Sequence, residues 1–310
     1  MTATILLLGS HGQVGRELAR SLPAVGRVQA YDRPDVDFAS PESLREIVRR
    51  TAADVIVNAA AYTAVDRAES EPTTARRINA EAVAELAAAA RDSGALLIHY
   101  STDYVFDGGK DGWYVESDEP RPLGVYGATK LAGERAAAAA GRHLVFRTSW
   151  VHAAHGDNFV RTMLRLARER ETIDVVDDQW GAPTGAALLA DVTALAIERS
   201  LGSGGGLPAG LYHVVARGET TWCRLARFVL AEARRLGLPL VAGPEAVRAV
   251  PSSGYPTPAR RPANSRLATE KLRAALGIDL PAWQDGVAAV VAALAADAAG
   301  DARQPLREQA

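Results

Sequence analysis

Residues 4–15 read TILLLGSHGQVG, and this stretch decides the fold. Ile5–Leu8 is a short apolar run of the kind a parallel strand buried on both faces requires. It leads straight into Gly9, Gly12 and Gly15, spaced G-x-x-G-x-x-G, and the helical stretch Gln13–Leu22 opens inside that turn. Glycines let the chain turn sharply and let backbone N–H groups approach a pyrophosphate, whose charge is favoured at a helix N-terminus. A glycine pattern alone is a weak signal. Its strand–turn–helix setting, and Asp32 closing the next strand twenty positions past Gly12, make it a dinucleotide-binding signature.

The same alternation runs outward from that turn. Val28–Tyr31, Val55–Val57, Leu96–Tyr100 and Leu144–Arg147 read as further buried strands, with helices over Ser43–Arg50, Thr74–Ser93 and Gly127–Ala140. Ser40 is placed to cap a helix whose first residue is Pro41, and Gly94 to end the long helix before it. The pattern predicts an α/β fold, a doubly wound parallel sheet of the Rossmann type. After Trp150 the rhythm changes. A helix near Asn158–Arg168, a strand near Ile173–Val175, turn-rich Gly181–Gly185 and a helix over Ala187–Ser200 follow. Beyond a flexible loop at Gly202–Gly206 come a strand at Tyr212–Val215, a helix at Thr221–Leu236 and the irregular, proline-rich Pro251–Pro262. The expected division is a nucleotide-binding domain over 1–149, to which about 186–215 returns, a smaller α/β substrate lobe over 150–298, and a flexible tail over 299–310.

Composition narrows the function classes. The chain has 310 residues, 48% hydrophobic and 23% charged, within ordinary globular usage. A net charge of -2 supplies no basic footprint for nucleic acid. The single cysteine, Cys223, excludes an internal disulfide and fits a reducing compartment. No stretch reads as a signal peptide or a membrane span, so a cytoplasmic protein is expected.

Several residues cluster in sequence around the cofactor end. Asp32 can accept from both adenosine ribose hydroxyls, which favours NADH, whereas Arg33 beside it suits a 2′-phosphate, which favours NADPH; both stay open. Asp37 and Phe38 either close over the adenine or form a plain loop. Asn58-Ala59-Ala60-Ala61 ends the third strand, where small side chains let a flat cofactor lie against the backbone. Asn79, on the next helix, either braces that loop through its amide or is an ordinary polar helix residue.

The chemical end is Thr102, Tyr126 and Lys130. Tyr126-Gly127-Ala128-Thr129-Lys130 is a Y-x-x-x-K motif, which on a helix puts a phenol and an ammonium on one face. A unit charge at about 4 Å in an effective dielectric near 20 is worth about 4 kcal/mol, enough to lower a phenol from about 10 by up to ~3, with burial opposing. Thr102, at the end of the fourth strand, is placed to hydrogen-bond the same substrate oxygen. The six histidines form no metal-ligand spacing, and no G-x-S-x-G elbow is present.

These residues together resemble the extended short-chain dehydrogenases/reductases, and within them the dTDP-4-dehydrorhamnose reductase family. GQVGREL, DVIVNAAAYTAVDRAESEP, IHYSTDYVFDG, VYGATKLAGE, FRTSWV, NFVRTMLRLARER, DDQWGAPTG, AGLYHVVARGETTW and YPTPARRPANSRL carry the resemblance in order. It implies NADPH- or NADH-dependent reduction of dTDP-4-dehydro-β-L-rhamnose at C4, with Tyr126 protonating the alkoxide and Lys130 holding the nicotinamide ribose. It assigns Gly12, Gln13 and Val14 to the pyrophosphate turn, and Asp32, Asp37, Phe38, Ala61 and Thr63 to the remaining cofactor contacts. Thr102, Asp103 and Trp150 match sugar-contacting positions, while Trp150 read alone is a core aromatic. Arg260 and Arg261 suit a nucleotide diphosphate, or equally packing against the C-terminal helix. Some members hold Mg2+ through glutamates at a dimer contact; Glu17 is present, but Ala187 stands where they carry a glutamate, which puts that metal in doubt. Monomer and homodimer both remain open. Two alternatives stand beside the main reading: a 4-ketoreductase for another nucleotide-linked 6-deoxyhexose, and a non-catalytic, cofactor-binding regulatory subunit.

Overall fold

The computed structural model describes residues 2–202 and 206–301. The N-terminal half runs β1 (Thr4–Leu8), α1 (Gln13–Ser21), β2 (Arg27–Tyr31), α2 (Pro41–Thr51) and β3 (Val55–Asn58). Two short helices, α3 (Val65–Ala68) and α4 (Pro72–Arg76), precede α5 (Ala82–Ser93), β4 (Leu96–Thr102), α6 (Val125–Ala137) and β5 (His143–Thr148). The second half holds β6 (Val151–His152), α7 (Phe159–Glu169), β7 (Ile173–Val176), β8 (Trp180–Gly181), β9 (Thr184–Gly185) and α8 (Ala186–Leu201). It ends with β10 (Gly210–His213), β11 (Thr220–Thr221), α9 (Trp222–Arg235), β12 (Val247–Val250), α10 (Glu270–Leu276) and α11 (Trp283–Asp301).

Six strands form one parallel sheet in the order β10-β5-β4-β3-β1-β2, with helices on both faces. This is the Rossmann-type doubly wound sheet. One face buries Ile5, Leu7, Val57, Ile98 and Phe146; the other buries Leu6, Leu8, Ile56, Leu97 and Val145. That alternation explains why these strands read as continuous apolar runs. β2 departs from the expectation because it is the edge strand, and its residues are partly buried or exposed. The chain leaves β1 toward β2 on one side and resumes at β3 on the other. This reversal opens a crevice at the carboxyl ends of β1 and β3, where open α/β sheets bind ligands.

Local signals act as their chemistry requires. The Ser40 side chain accepts from the Ser43 N–H, with Pro41 in the first turn, and Gly94 takes the left-handed conformation after α5. The helix expected over Thr74–Ser93 is interrupted. Residues Arg77–Glu81 form a π turn, and the extra residue swings Asn79 inward to full burial. Later, β7 pairs with β12, a strand inside a stretch without clear alternation, and a separate core gathers Val160, Leu164, Val229 and Trp283. The loop expected at Gly202–Gly206 falls largely on 203–205, outside the described residues; of the tail expected over 299–310, residues 299–301 continue α11 and 302–310 lie outside the described residues. No helix among the described residues is long and apolar enough to cross a membrane.

Candidate active site

A cleft of about 750 Å³ opens over the carboxyl ends of the sheet, within the range of small-molecule and cofactor sites. Gly9, Gly12, Gln13, Val14, Asp32, Asp37, Phe38, Ala61 and Thr63 all line it. So do Thr102, Asp103, Tyr126, Lys130 and Trp150. The chain thus gathers at one place residues spread over most of its first half.

The glycines of the first turn do different work. Gly9 has φ +80°, and a Cβ there would lie 2.5 Å from the Ala60 nitrogen; a Cβ on Gly15 would lie 1.9 Å from the Gly9 oxygen. Both are demanded by the close packing of the turn itself. Gly12 is not: its φ is -68°, and a Cβ would sit 3.4 Å from the nearest atom. What Gly12 keeps open is the cleft. Gly15 is buried beneath the turn, where it seats α1. Gln13 has a second duty, since Asn158 donates to its Oε1 at 2.9 Å and its Nε2 donates to the Asp157 carbonyl at 3.3 Å. It ties the turn to the start of α7.

Asp32 is held rigidly. Its carboxylate accepts from the backbone N–H groups of His11 and Arg33, each at 2.8 Å. Asp37 accepts from the Ala39 N–H at 2.8 Å, and Phe38 is buried against the sheet while lining the cleft. Asn79 accepts from the Tyr62 N–H at 2.8 Å and donates to the Tyr62 carbonyl and the Thr129 hydroxyl. The π turn therefore braces the loop that carries Ala61 and Thr63.

At the chemical end, Tyr126 and Lys130 stand one turn apart on α6, opposite Thr102 at the end of β4. Lys130 Nζ donates to the Tyr100 carbonyl at 2.6 Å and is almost fully buried. Burial brings the Lys130 ammonium down to about 8, with Glu134 acting in the other direction. Tyr126 keeps part of its surface open to the cleft, but its phenol lies deep in protein and burial pushes it up; the Thr102 hydroxyl opposes, and Asp103 and Tyr104 raise it further. The expected lowering of Tyr126 by Lys130 is thereby corrected: burial sets the direction, and the opposing group is the Thr102 hydroxyl, not Lys130. A phenol that keeps its proton is suited to donate one. Asp103 is pushed up to about 6 by burial, against the Ser265 and Thr102 hydroxyls. The Thr102 hydroxyl donates to Asp103 Oδ1 at 3.0 Å, and Asp103 Oδ2 has no hydrogen-bond partner among the described residues.

Trp150 is not simple core filling. It lines the cleft with a backbone φ of +48°, a conformation rare for a bulky side chain, and its ring stacks on Trp222 at 3.6 Å and 13°. Trp222 also lines the cleft, and no sequence signal singled it out. Tyr104 was missed too; it packs edge-on against Tyr126 at 5.6 Å. Arg261 faces the cleft, donating to Asp66 at 2.7 Å and to the Tyr104 hydroxyl at 3.3 Å, whereas Arg260 is exposed. Glu17 pairs with Arg20 at 2.9 Å and lies 3.8 Å from His155. Among the described residues no group of three His, Cys, Asp or Glu side chains could hold a metal ion.

The comparisons with known proteins agree with one another. Residues 3–296 match the family described as RmlD substrate binding domain. The chain is 54% identical over 288 residues to the dTDP-4-dehydrorhamnose reductase of Escherichia coli (strain K12), covering 91% of this chain and 95% of that protein. It is 53% identical over 290 residues to the enzyme of the same name from Salmonella typhimurium, with the same coverage of each. Among solved structures, the dTDP-4-dehydrorhamnose reductase of Bacillus anthracis in complex with NADP superposes with a TM-score of 0.86 at 32% identity, covering 94% of this chain and all of that one, 100%.

Proposed function

The chain belongs to the RmlD substrate binding domain family, and we propose that it reduces the 4-keto group of dTDP-4-dehydro-β-L-rhamnose with NADPH or NADH, giving dTDP-β-L-rhamnose. The observation that carries the reading is the convergence of Thr102, Tyr126 and Lys130 with the glycine turn on one cleft.

The cleft fits a nicotinamide dinucleotide on its own chemistry. The crowded Gly9–Gly15 turn presents backbone where a diphosphate needs N–H donors, and Gly12 leaves that face open. Asp32, fixed by two backbone amides, is poised for the adenosine ribose, with Asp37 and Phe38 beside it. When bound, the reduced nicotinamide supplies the hydride that goes to C4. The chain's own residues do the rest. Tyr126, held protonated by burial, gives its phenolic proton to the oxygen left at C4. Thr102 orients that oxygen with its hydroxyl, and the Lys130 ammonium stabilises the phenolate that Tyr126 becomes. Asp103 and Trp150 bound the sugar. Arg261, already oriented by Asp66, suits the nucleotide diphosphate.

Residues 1–149 with about 186–215 serve the cofactor in this reading, and 150–298 the sugar nucleotide. A cytoplasmic location supplies both substrates. The test is to give the purified protein the 4-keto sugar nucleotide with each reduced cofactor, follow loss of cofactor absorbance and identify the sugar by NMR. Stoichiometric loss with a product of the L-rhamno configuration supports the reading. No turnover with either cofactor, or a different sugar epimer, overturns it.

A further inference from the structure

Beneath Lys130 lies a buried polar chain that the reduction as derived leaves unused. His99, fully buried in β4, places Nε2 3.4 Å from Lys130 Nζ and Nδ1 3.3 Å from Asn58 Nδ2. The Ala60 N–H donates to Asn58 Oδ1 at 3.2 Å, which turns the amide nitrogen of Asn58 toward the ring. An amide nitrogen only donates, so His99 Nδ1 accepts. Burial, with the Lys130 charge second, holds the imidazole well below its ordinary value, so the ring is neutral and carries one proton. That proton then sits on Nε2, facing Lys130. Opposite an ammonium, the arrangement sets two donors face to face. Opposite a free amine, it is a hydrogen bond to the nitrogen lone pair, and the amine still has an N–H for the Tyr100 carbonyl. Every group in the chain is satisfied when Lys130 is the amine.

We propose that His99 is a positioning residue for the reduction: fixed by Asn58 with its proton on Nε2, it disfavours the Lys130 ammonium and stabilises the amine left when Lys130 passes on a proton. The proposal rests on the reading of Tyr126 and Lys130 given above. In this step an N–H bond of Lys130 breaks and the O–H bond of a Tyr126 phenolate re-forms; Lys130 then regains a proton from water. The surrounding groups permit it. Glu134, the next turn of α6, favours the ammonium, but its carboxylate is engaged by Arg147 of β5 and Ser101 of β4. Tyr126 stands one turn back with Asp103 and Tyr104 against it. β3 and the π turn contribute only the amides of Asn58 and Asn79, and Asn79 is engaged with Tyr62 and Thr129.

The test combines long-range 15N–1H NMR of the His99 ring with kcat/KM against pH for wild type, His99→Gln and Asn58→Asp. The spectrum should show a neutral ring protonated on Nε2. In His99→Gln the amide can turn its oxygen to the ammonium. In Asn58→Asp the carboxylate draws the ring proton to Nδ1 and leaves Nε2 as an acceptor. Both variants should move the alkaline limb up by about one pH unit, a tenfold tighter hold on the proton. A packing role would lower kcat/KM without moving the limb. That outcome, or a ring protonated on Nδ1, overturns the proposal. If the wild type reduces no ketone, the reading of the site fails, and the ring spectrum still decides whether His99 turns its proton to Lys130.

Discussion

The Lys130 ammonium lies 2.6 Å from the backbone carbonyl of Tyr100, two residues before Thr102 on the same strand. β4 therefore both presents Thr102 to the cleft and anchors the lysine, while α6 presents Tyr126. The relative placement of the three groups is set by the contact of one strand with one helix. Its cost is a cation buried in a site that supplies only partial compensation.

That cost has a pH signature. Lys130 binds its proton with a value of about 8 in the fold against 10.5 ordinarily. Between these values the unfolded chain holds more protons, so the contribution of Lys130 to stability rises with pH across the window and is at its worst below about 8. The gap corresponds to ~3 kcal/mol, against which Lys130→Met leaves the Tyr100 carbonyl unpaired at roughly 1–3 kcal/mol. Urea unfolding of Lys130→Met at pH 7 should show no net loss of stability. Its standing relative to wild type should worsen toward pH 10. A loss above ~2 kcal/mol at pH 7 contradicts the argument.

The glycine turn separates folding from binding. Gly15→Ala forces a Cβ to within 1.9 Å of the Gly9 oxygen and should lower the melting temperature strongly. Gly12→Ala meets nothing closer than 3.4 Å and should fold almost as the wild type does. Its cofactor affinity should nonetheless fall at least ~10-fold, because the methyl group occupies the diphosphate face. Thermal melts and fluorescence titration check both. Equal melting losses in the two variants would show that Gly12 is structural.

Much of this was legible in sequence because local chemistry and global packing agree. Strand–glycine–helix order, the Ser40–Pro41 start and the Gly94 stop each report a backbone requirement that does not depend on distant residues. The π turn at Arg77–Glu81 was hidden because one extra residue in an alanine-rich helix leaves the apolar periodicity nearly intact. Trp222 stacks on Trp150 from seventy-two residues away, a pairing that only the tertiary fold creates. The sign of the Tyr126 shift was misjudged for a related reason. Y-x-x-x-K spacing reveals the nearby charge, whereas the depth of burial depends on the whole cleft.

Arg147 and Glu134 form a doubly hydrogen-bonded pair at 2.8 and 2.7 Å beneath Ser101, with both side chains buried. Glu134→Gln leaves the Arg147 charge uncompensated, and removal of one partner of such a pair costs about 3–5 kcal/mol. Urea unfolding should register that loss at pH 7. A change under 1 kcal/mol would mean that water reaches the pair.

In the proposed reading Asp32, fixed by the His11 and Arg33 amides, offers an anion to the adenosine ribose. Asp32→Ala should weaken NADH more than NADPH, since a carboxylate binds a 2′-hydroxyl and repels a 2′-phosphate. Both affinities should fall somewhat, because the His11 and Arg33 amides lose their acceptor. Equal losses in titration would show that Asp32 orders the turn without reading the ribose.

The most direct measurement is turnover of Tyr126→Phe with the 4-keto sugar nucleotide and reduced cofactor. A phenol held protonated at the cleft floor is the proton source in this account. The variant should lose at least ~10²-fold in kcat, as general acid catalysis contributes, and bind cofactor as the wild type does. Near-normal turnover would contradict the account at its centre.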